Sequence, residues 1–199
     1  MSKIKVSAMT GKLKEVSAIN SSPLDNPFCI AMAKDPSNIC SKCYSQKMLK
    51  GLRKNCRPSW TETGRRLSSA PITPEEIPTI KTELCRFSAH GDLINSIHSD
   101  NLFRIAEANP EKKFGFWTKR PELVNTLACP SNVVLVYSSY KINERGELPK
   151  GFHKVFTVYN QSGIDSESVD INCGAKNCNT CRLCYDKTNG VVFVNEKIK

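Results

Sequence analysis

The longest β-like apolar stretch in the chain is Val133-Val-Leu-Val-Tyr137. Five residues without a polar break predict a strand buried on both faces. From residue 85 onward such pieces alternate with helix-period stretches. Cys85-Arg-Phe-Ser-Ala89 reads as a strand, and Asn95–Ala108 as a helix with Ile97, Leu102, Ile105 and Ala106 on one face. Phe114-Gly-Phe-Trp-Thr118 reads as a strand, Pro121–Ala128 as a short helix and Val133–Ser138 as a strand. Val155–Tyr159 and Val191–Val194 complete the set. Strands that alternate with helical connections predict an α/β fold with a mainly parallel sheet.

The first third is less regular. Ile4–Ala8 and Val16–Ile19 are short β-like pieces around the turn-prone Thr10-Gly11. Residues 21–45 carry three prolines, and a helix is expected to follow Cys43 as far as Lys50. Ser59-x-x-Glu62 and Thr73-Pro-Glu-Glu76 both have the spacing of a capping box, so each predicts a helix start. Pro78 should cut the second one short. There is no repeat period, and 199 residues suit one domain. Its Cys-rich parts are an N-terminal segment, 29–56, and a C-terminal one, 173–185. No apolar stretch approaches the roughly 20 residues that span a bilayer, and the opening residues lack the apolar segment of a signal peptide. The expected location is the cytoplasm, with no membrane partner.

In open α/β sheets and (β/α) barrels, ligands bind beyond the carboxyl ends of the strands. Four successive strand ends here are polar: Ser88-Ala-His-Gly-Asp92, Thr118-Lys-Arg120, Ser138-Ser-Tyr-Lys141 and Asn160-Gln-Ser162. Gly91 allows a sharp turn that presents His90 and Asp92. His90, Asp92 and Lys119 are therefore the candidates for acid–base work or anion binding. His98, in a helix, and His153, in a loop, read as surface residues. Trp117 lies inside an apolar strand and reads as core.

Ten cysteines change this picture. In a reducing compartment they do not suggest a disulfide framework. Cys56, Cys85 and Cys129 are isolated and read as small buried hydrophobes. The other seven form two groups: Cys29-x10-Cys40-x2-Cys43, and Cys173-x4-Cys178-x2-Cys181-x2-Cys184. A Cys-x-x-Cys turn aims two sulfurs at one metal, in zinc sites as in redox pairs. Neither pair follows a strand and opens a helix as a thioredoxin-type pair would. One zinc needs four ligands and would leave three of these cysteines idle. A cubane takes one thiolate per iron corner, which suits the C-terminal run. The cofactor expected is thus an iron–sulfur cluster, [4Fe-4S], present once or twice, with zinc as the alternative. Three cysteines in the first group would leave one iron open. Sharing between the groups would instead staple the two chain ends together.

The formal charge of +10 points to an acidic partner, and nucleic acid is the obvious one. The basic residues are dispersed, however. A small-molecule substrate, a redox partner or a host protein fits as well.

The order Cys…Cys-x-x-Cys-Tyr, Arg-Phe-Ser-Ala-His-Gly-Asp, Phe-Trp-Thr-Lys-Arg-Pro and the C-terminal four-cysteine run resembles the phage gene product 88 family over about residues 27–195. That resemblance implies a phage or prophage protein acting in the host cytoplasm. The strand-end Thr118-Lys119 is similar to segments of radical S-adenosylmethionine (SAM)-like phage proteins, which implies a partial (β/α) barrel carrying an iron–sulfur cluster. The radical SAM motif is Cys-x3-Cys-x2-Cys, whereas the first gap here is ten residues. There is also no Gly-Gly-Glu-type strand, which counts against SAM itself.

Overall fold

The computed structural model describes residues 4–198. One seven-stranded sheet runs through the molecule, its strand order following the chain from β1 to β7. The strands are Val6–Ala8 (β1), Ser17–Ile19 (β2), Leu84–Phe87 (β3), Lys113–Thr118 (β4), Val133–Ile142 (β5), Lys154–Tyr159 (β6) and Phe193–Lys197 (β7). β1 lies antiparallel to β2, and every later pairing is parallel. The sheet is open, with β1 and β7 at its edges. The expected α/β class and mainly parallel sheet are present, and the sheet does not close on itself.

Cover on both faces of the sheet explains why the inner strands are mostly apolar. On one face Cys85, Phe87, Phe114, Phe116, Val133 and Leu135 pack beneath two helices. Arg57–Ser69 (α3) contributes Leu67, and Ser96–Glu107 (α4) contributes Leu102, Phe103, Ile105 and Ala106. On the other face Leu84, Trp117, Val134 and Val136 meet Val16 and Tyr185. That second face is covered by the C-terminal loop, with Cys178 and Cys184 packed on it. Gly115 makes this cover possible. A Cβ there would lie 2.4 Å from the Trp117 ring and 3.0 Å from that of Tyr185.

Several local expectations need correction. The helix after residue 56 starts at Arg57 with Pro58 in its first turn. The hydroxyl of Ser59 donates to the Cys56 carbonyl, and Glu62 pairs with Arg65. The Ser59–Glu62 capping box is therefore not formed. The one at Thr73–Glu76 is, but it heads a single 3-10 turn that ends before Pro78. Residues 121–128 form two 3-10 turns in place of a helix, and the last strand begins two residues later than expected. His98 is not on the surface. It is 3% exposed, and burial lowers its pKa to about 4. His153 is half-buried, and its Nδ1 accepts from the Leu135 amide at 3.0 Å. Pro27–Met32 (α1) and Gln161–Glu167 (α5) went unread, one short and irregular, the other polar.

Candidate metal centres

The C-terminal group is built on a short turn of helix, Cys178–Cys181 (α6). The Asn177 side chain caps it, accepting from the Asn179 and Thr180 amides at 2.6 and 3.4 Å. Arg182 then takes a left-handed conformation (φ 54°), which turns the chain so that Cys184 comes back toward Cys178. Its guanidinium holds Glu83 with two bonds of 2.6 and 2.7 Å. Cys173 is fastened from the other side. Lys12 Nζ donates to its sulfur at 3.1 Å, to its carbonyl at 3.0 Å and to Glu196 at 2.8 Å. Cys173, Cys178, Cys181 and Cys184 all line one cavity of about 220 Å³. Burial pushes Cys184 up to about 12, with the fields of Cys173 and Cys178 adding to it. Burial likewise raises Cys173 and Cys178.

Three donors at this cavity have no partner. Arg86 Nε, Trp117 Nε1 and the Tyr185 hydroxyl are buried without a hydrogen bond, and all three residues line it. The Arg86 guanidinium stacks on the Trp117 ring, 3.9 Å from its centroid. A buried donor left unpaired costs about 1–3 kcal/mol. The three residues line the cavity, while the donor atoms themselves are packed beneath its wall.

The N-terminal group lies at the carboxyl edge of the sheet. Asn26 caps α1, its Oδ1 accepting from the Phe28 and Cys29 amides at 2.9 and 3.4 Å. Its Nδ2 donates to the Asp92 carbonyl at 2.8 Å, which ties Cys29 to the end of β3. Asn38 Oδ1 accepts from the Cys40 amide at 2.9 Å, and Cys43 stands at the start of Tyr44–Lys50 (α2). Cys29, Cys40 and Cys43 share one electrostatic neighbourhood with Asp92 and Lys119. Burial raises the Cys29 thiol first, with Asp92 and the two other thiols adding to it.

His90, Asp92 and Lys119 gather here as expected, in different roles. The carboxylate of Asp92 is buried and accepts from the Leu93 amide, the Thr118 hydroxyl and the Lys119 amide at 2.7, 2.6 and 3.0 Å. Burial raises its pKa against those donors. It locks the ends of β3 and β4 together. Gly91 sits at φ +75°, 2.4 Å from the Ser21 carbonyl in Cβ terms, so the His90–Asp92 turn needs a glycine. The His90 Nδ1 and the Ser45 hydroxyl are hydrogen-bonded at 2.7 Å. Burial, then Arg86 and Arg53, lowers its pKa to about 4, so the ring is neutral at pH 7. Lys119 Nζ donates to the Ser138 hydroxyl at 2.8 Å. Arg120 is spent on Glu122 and on the Leu93 and Ile94 carbonyls.

A second, larger cavity of about 990 Å³ opens at this edge, lined by Cys40, Cys43, His90 and Lys119 among others. Cys56, read as a buried hydrophobe, is half-buried and lines it too. Cys85 is fully buried, and Cys129 packs partly buried on the core. Lys12, Leu13 and Glu196 line both cavities and so stand between the two cysteine groups. Among the described residues, no three His, Cys, Asp or Glu side chains converge closely enough to hold a single metal ion. Arg86, Trp117, Tyr185 and Lys12 were missed as site residues. Their positions follow from strand register and from chain folding over the sheet face, which no local motif signals.

A family model described as Gene product 88 matches residues 7–197. The chain belongs to the phage Gene product 88 family. The matched span contains all seven clustered cysteines. No curated protein matches the chain, and neither does any solved structure. No helix of the described residues is long and apolar enough to cross a membrane.

Proposed function

We propose that this Gene product 88 protein is an iron–sulfur protein with two [4Fe-4S] sites and a redox or catalytic role. Cys173, Cys178, Cys181 and Cys184 would hold one cluster with all four corners ligated. Cys29, Cys40 and Cys43 would hold the other and leave one iron open toward the large cavity. Such clusters supply electron transfer and, at an open iron, a site that binds substrate. The observation that carries the reading is the lining of one cavity by four cysteines, one of which already accepts from Lys12 at 3.1 Å. Cluster sulfides and thiolates are acceptors, and hydrogen bonds to sulfur are among the ways a protein tunes such a cluster. A cubane does not need its ligands to meet at one point, as a single zinc does. The sequential order of parallel strands is also that of a partial (β/α) barrel, the scaffold implied by the resemblance to radical-SAM-like proteins.

This chain's own residues would prepare the sites. Asp92 fixes the strand ends beneath the three thiols. Lys12 and Arg86 set positive charge against thiolate charge at the four-thiol site. His90, neutral at pH 7 and anchored by Ser45, would present an uncharged polar ring beside the open cavity.

Anaerobic purification, an absorption spectrum and counts of iron, sulfide and zinc per chain test the reading. A broad band near roughly 400 nm with about eight irons is expected. About four irons would reduce the proposal to one cluster. A colourless protein with stoichiometric zinc would replace it with a structural metal site in a binding protein for nucleic acid or a host protein.

A further inference from the structure

The large cavity has an unusual charge. Its lining carries six cationic side chains, Lys5, Lys12, Lys42, Arg53, Lys119 and Lys197, and one carboxylate, Glu196. The chain as a whole has 29 basic and 19 acidic residues, so its dispersed surplus does not account for this lining. The one carboxylate is already engaged by Lys12, at 2.8 Å. Among the described residues, the other five cations make no ion pair. Arg53 donates to the Thr10 hydroxyl at 2.9 Å, Lys119 to the Ser138 hydroxyl at 2.8 Å and Lys197 to the Gln161 side-chain oxygen at 2.5 Å. Neutral acceptors orient these heads and leave their charge uncompensated. Lys119 also stands in the field of buried Asp92, which takes up part of its charge. Arg53 and Lys119 are half-buried, whereas Lys5, Lys42 and Lys197 are exposed. Like charges gathered around one concave space repel each other and focus a positive potential into it.

We infer that this cavity binds a small polyanion bearing phosphate groups, with Arg53 and Lys119 as its inner contacts and Lys5, Lys42 and Lys197 around its mouth. A guanidinium fork suits two phosphate oxygens, and an ammonium acts as a point charge on a third. Several unpaired cations call for more than one anionic charge, which a diphosphate supplies and a single carboxylate does not. The concave shape favours a small ligand over a polymer, which would track an open groove. The inference names the substrate class of the three-thiol site. It rests on the cluster reading for its catalytic meaning, though the binding itself does not require a cluster.

Inorganic pyrophosphate titrated calorimetrically into the full chain at about 0.15 M salt tests it. Citrate and a short single-stranded DNA serve as comparison ligands, and iron and sulfide are counted on every sample. Saturable pyrophosphate binding is expected, weakened about tenfold or more by Arg53→Gln and by Lys119→Gln, the scale of one lost charge-assisted contact. Lys150→Gln, at an exposed loop outside the cavity, should leave it unchanged. Circular dichroism confirms that each variant is folded. Absent binding, equal weakening by Lys150→Gln, equal affinity for citrate, or tighter binding of the DNA through the same residues would each overturn the inference. Pyrophosphate binding that persists in an iron-free chain would leave it standing while the cluster reading falls. A normal iron count without pyrophosphate binding would do the reverse.

Discussion

Trp60 lies flat against His90, their ring centroids 4.7 Å apart and their planes 17° from parallel. The contact joins α3 to the end of β3, and Ser45 holds the same imidazole from α2. Three elements distant in sequence thus meet on one ring at the edge of the large cavity. The indole is also anchored by donating to the Ser7 hydroxyl at 3.1 Å. His90→Ala removes the stack and leaves a gap beside Trp60. The expected cost is about 1–3 kcal/mol of unfolding free energy, read by urea denaturation. His90 is not placed as a ligand, so iron and sulfide counts should stay at the wild-type level. A folded His90→Ala chain that has lost iron would make the histidine a cluster ligand.

Acid stability follows from His98. Its pKa is lowered to about 4 by burial alone, against about 6.5 for the free side chain. Between those values the unfolded chain binds a proton that the folded chain refuses, so stability rises with pH across that window. Its contribution is complete above pH 6.5 and is lost as pH falls toward 4. The slope is at most about 1.4 kcal/mol per pH unit for the one group. Melting temperature measured from pH 7 to pH 4 should fall, and His98→Gln should flatten the curve. His90 titrates over the same range, so some slope persists in that variant. An unchanged curve would show that His98 protonates in the folded state.

The two cysteine groups should lose metal independently. Cys29, Cys40 and Cys43 share one electrostatic neighbourhood, and Cys173, Cys178, Cys181 and Cys184 share another. Cys181→Ala is expected to remove about four of roughly eight irons and to loosen the C-terminal loop, and Cys40→Ala to remove the other four. Cys129→Ala should remove none, because its thiol faces the Pro130 and Val133 carbonyls. Loss of all iron in either single variant would point to one shared cluster. Retention of all iron in Cys181→Ala would sink that ligand assignment.

What could be read from the sequence was what is local. Val133–Tyr137, Phe114–Thr118 and Val155–Tyr159 announce themselves because strands covered on both faces must be apolar at every position. Asn95 to Ala108 is legible because one helix face meets the sheet. The cysteine groups stand out by spacing alone. His98 was misread because a lone histidine in a polar stretch carries no sign of burial. It became buried only when α4 settled on the sheet. Arg86 and Trp117 could not be linked to the cysteines at all, since only the β3–β4 register and the fold-back of residues 173–185 bring them together. Ser59–Glu62 failed for a different reason: Pro58 at the first turn starts the helix earlier than the capping pattern does.

The last test concerns Gly115, where fold and site meet. Its missing side chain is the space that the Trp117 ring occupies, at 2.4 Å from where a Cβ would be, and the Tyr185 ring stands 3.0 Å away. Both rings belong to the four-thiol cavity, and both carry donors without partners. Gly115→Ala must therefore shift the indole, the tyrosine or both, in a core already closely packed. Overpacking of this kind costs typically about 1–3 kcal/mol, and each kcal/mol lowers the melting temperature of a chain of this length by roughly 2–4 °C. Because Tyr185 adjoins Cys184, the variant should also release iron faster to a chelator than the wild type does. Gly174→Ala is the control, since nothing lies within 4 Å of a Cβ there although it neighbours Cys173. Equal chelation rates in Gly115→Ala and wild type, with the expected loss of stability, would separate the sheet face from the metal centre and leave Trp117 and Tyr185 as core residues only.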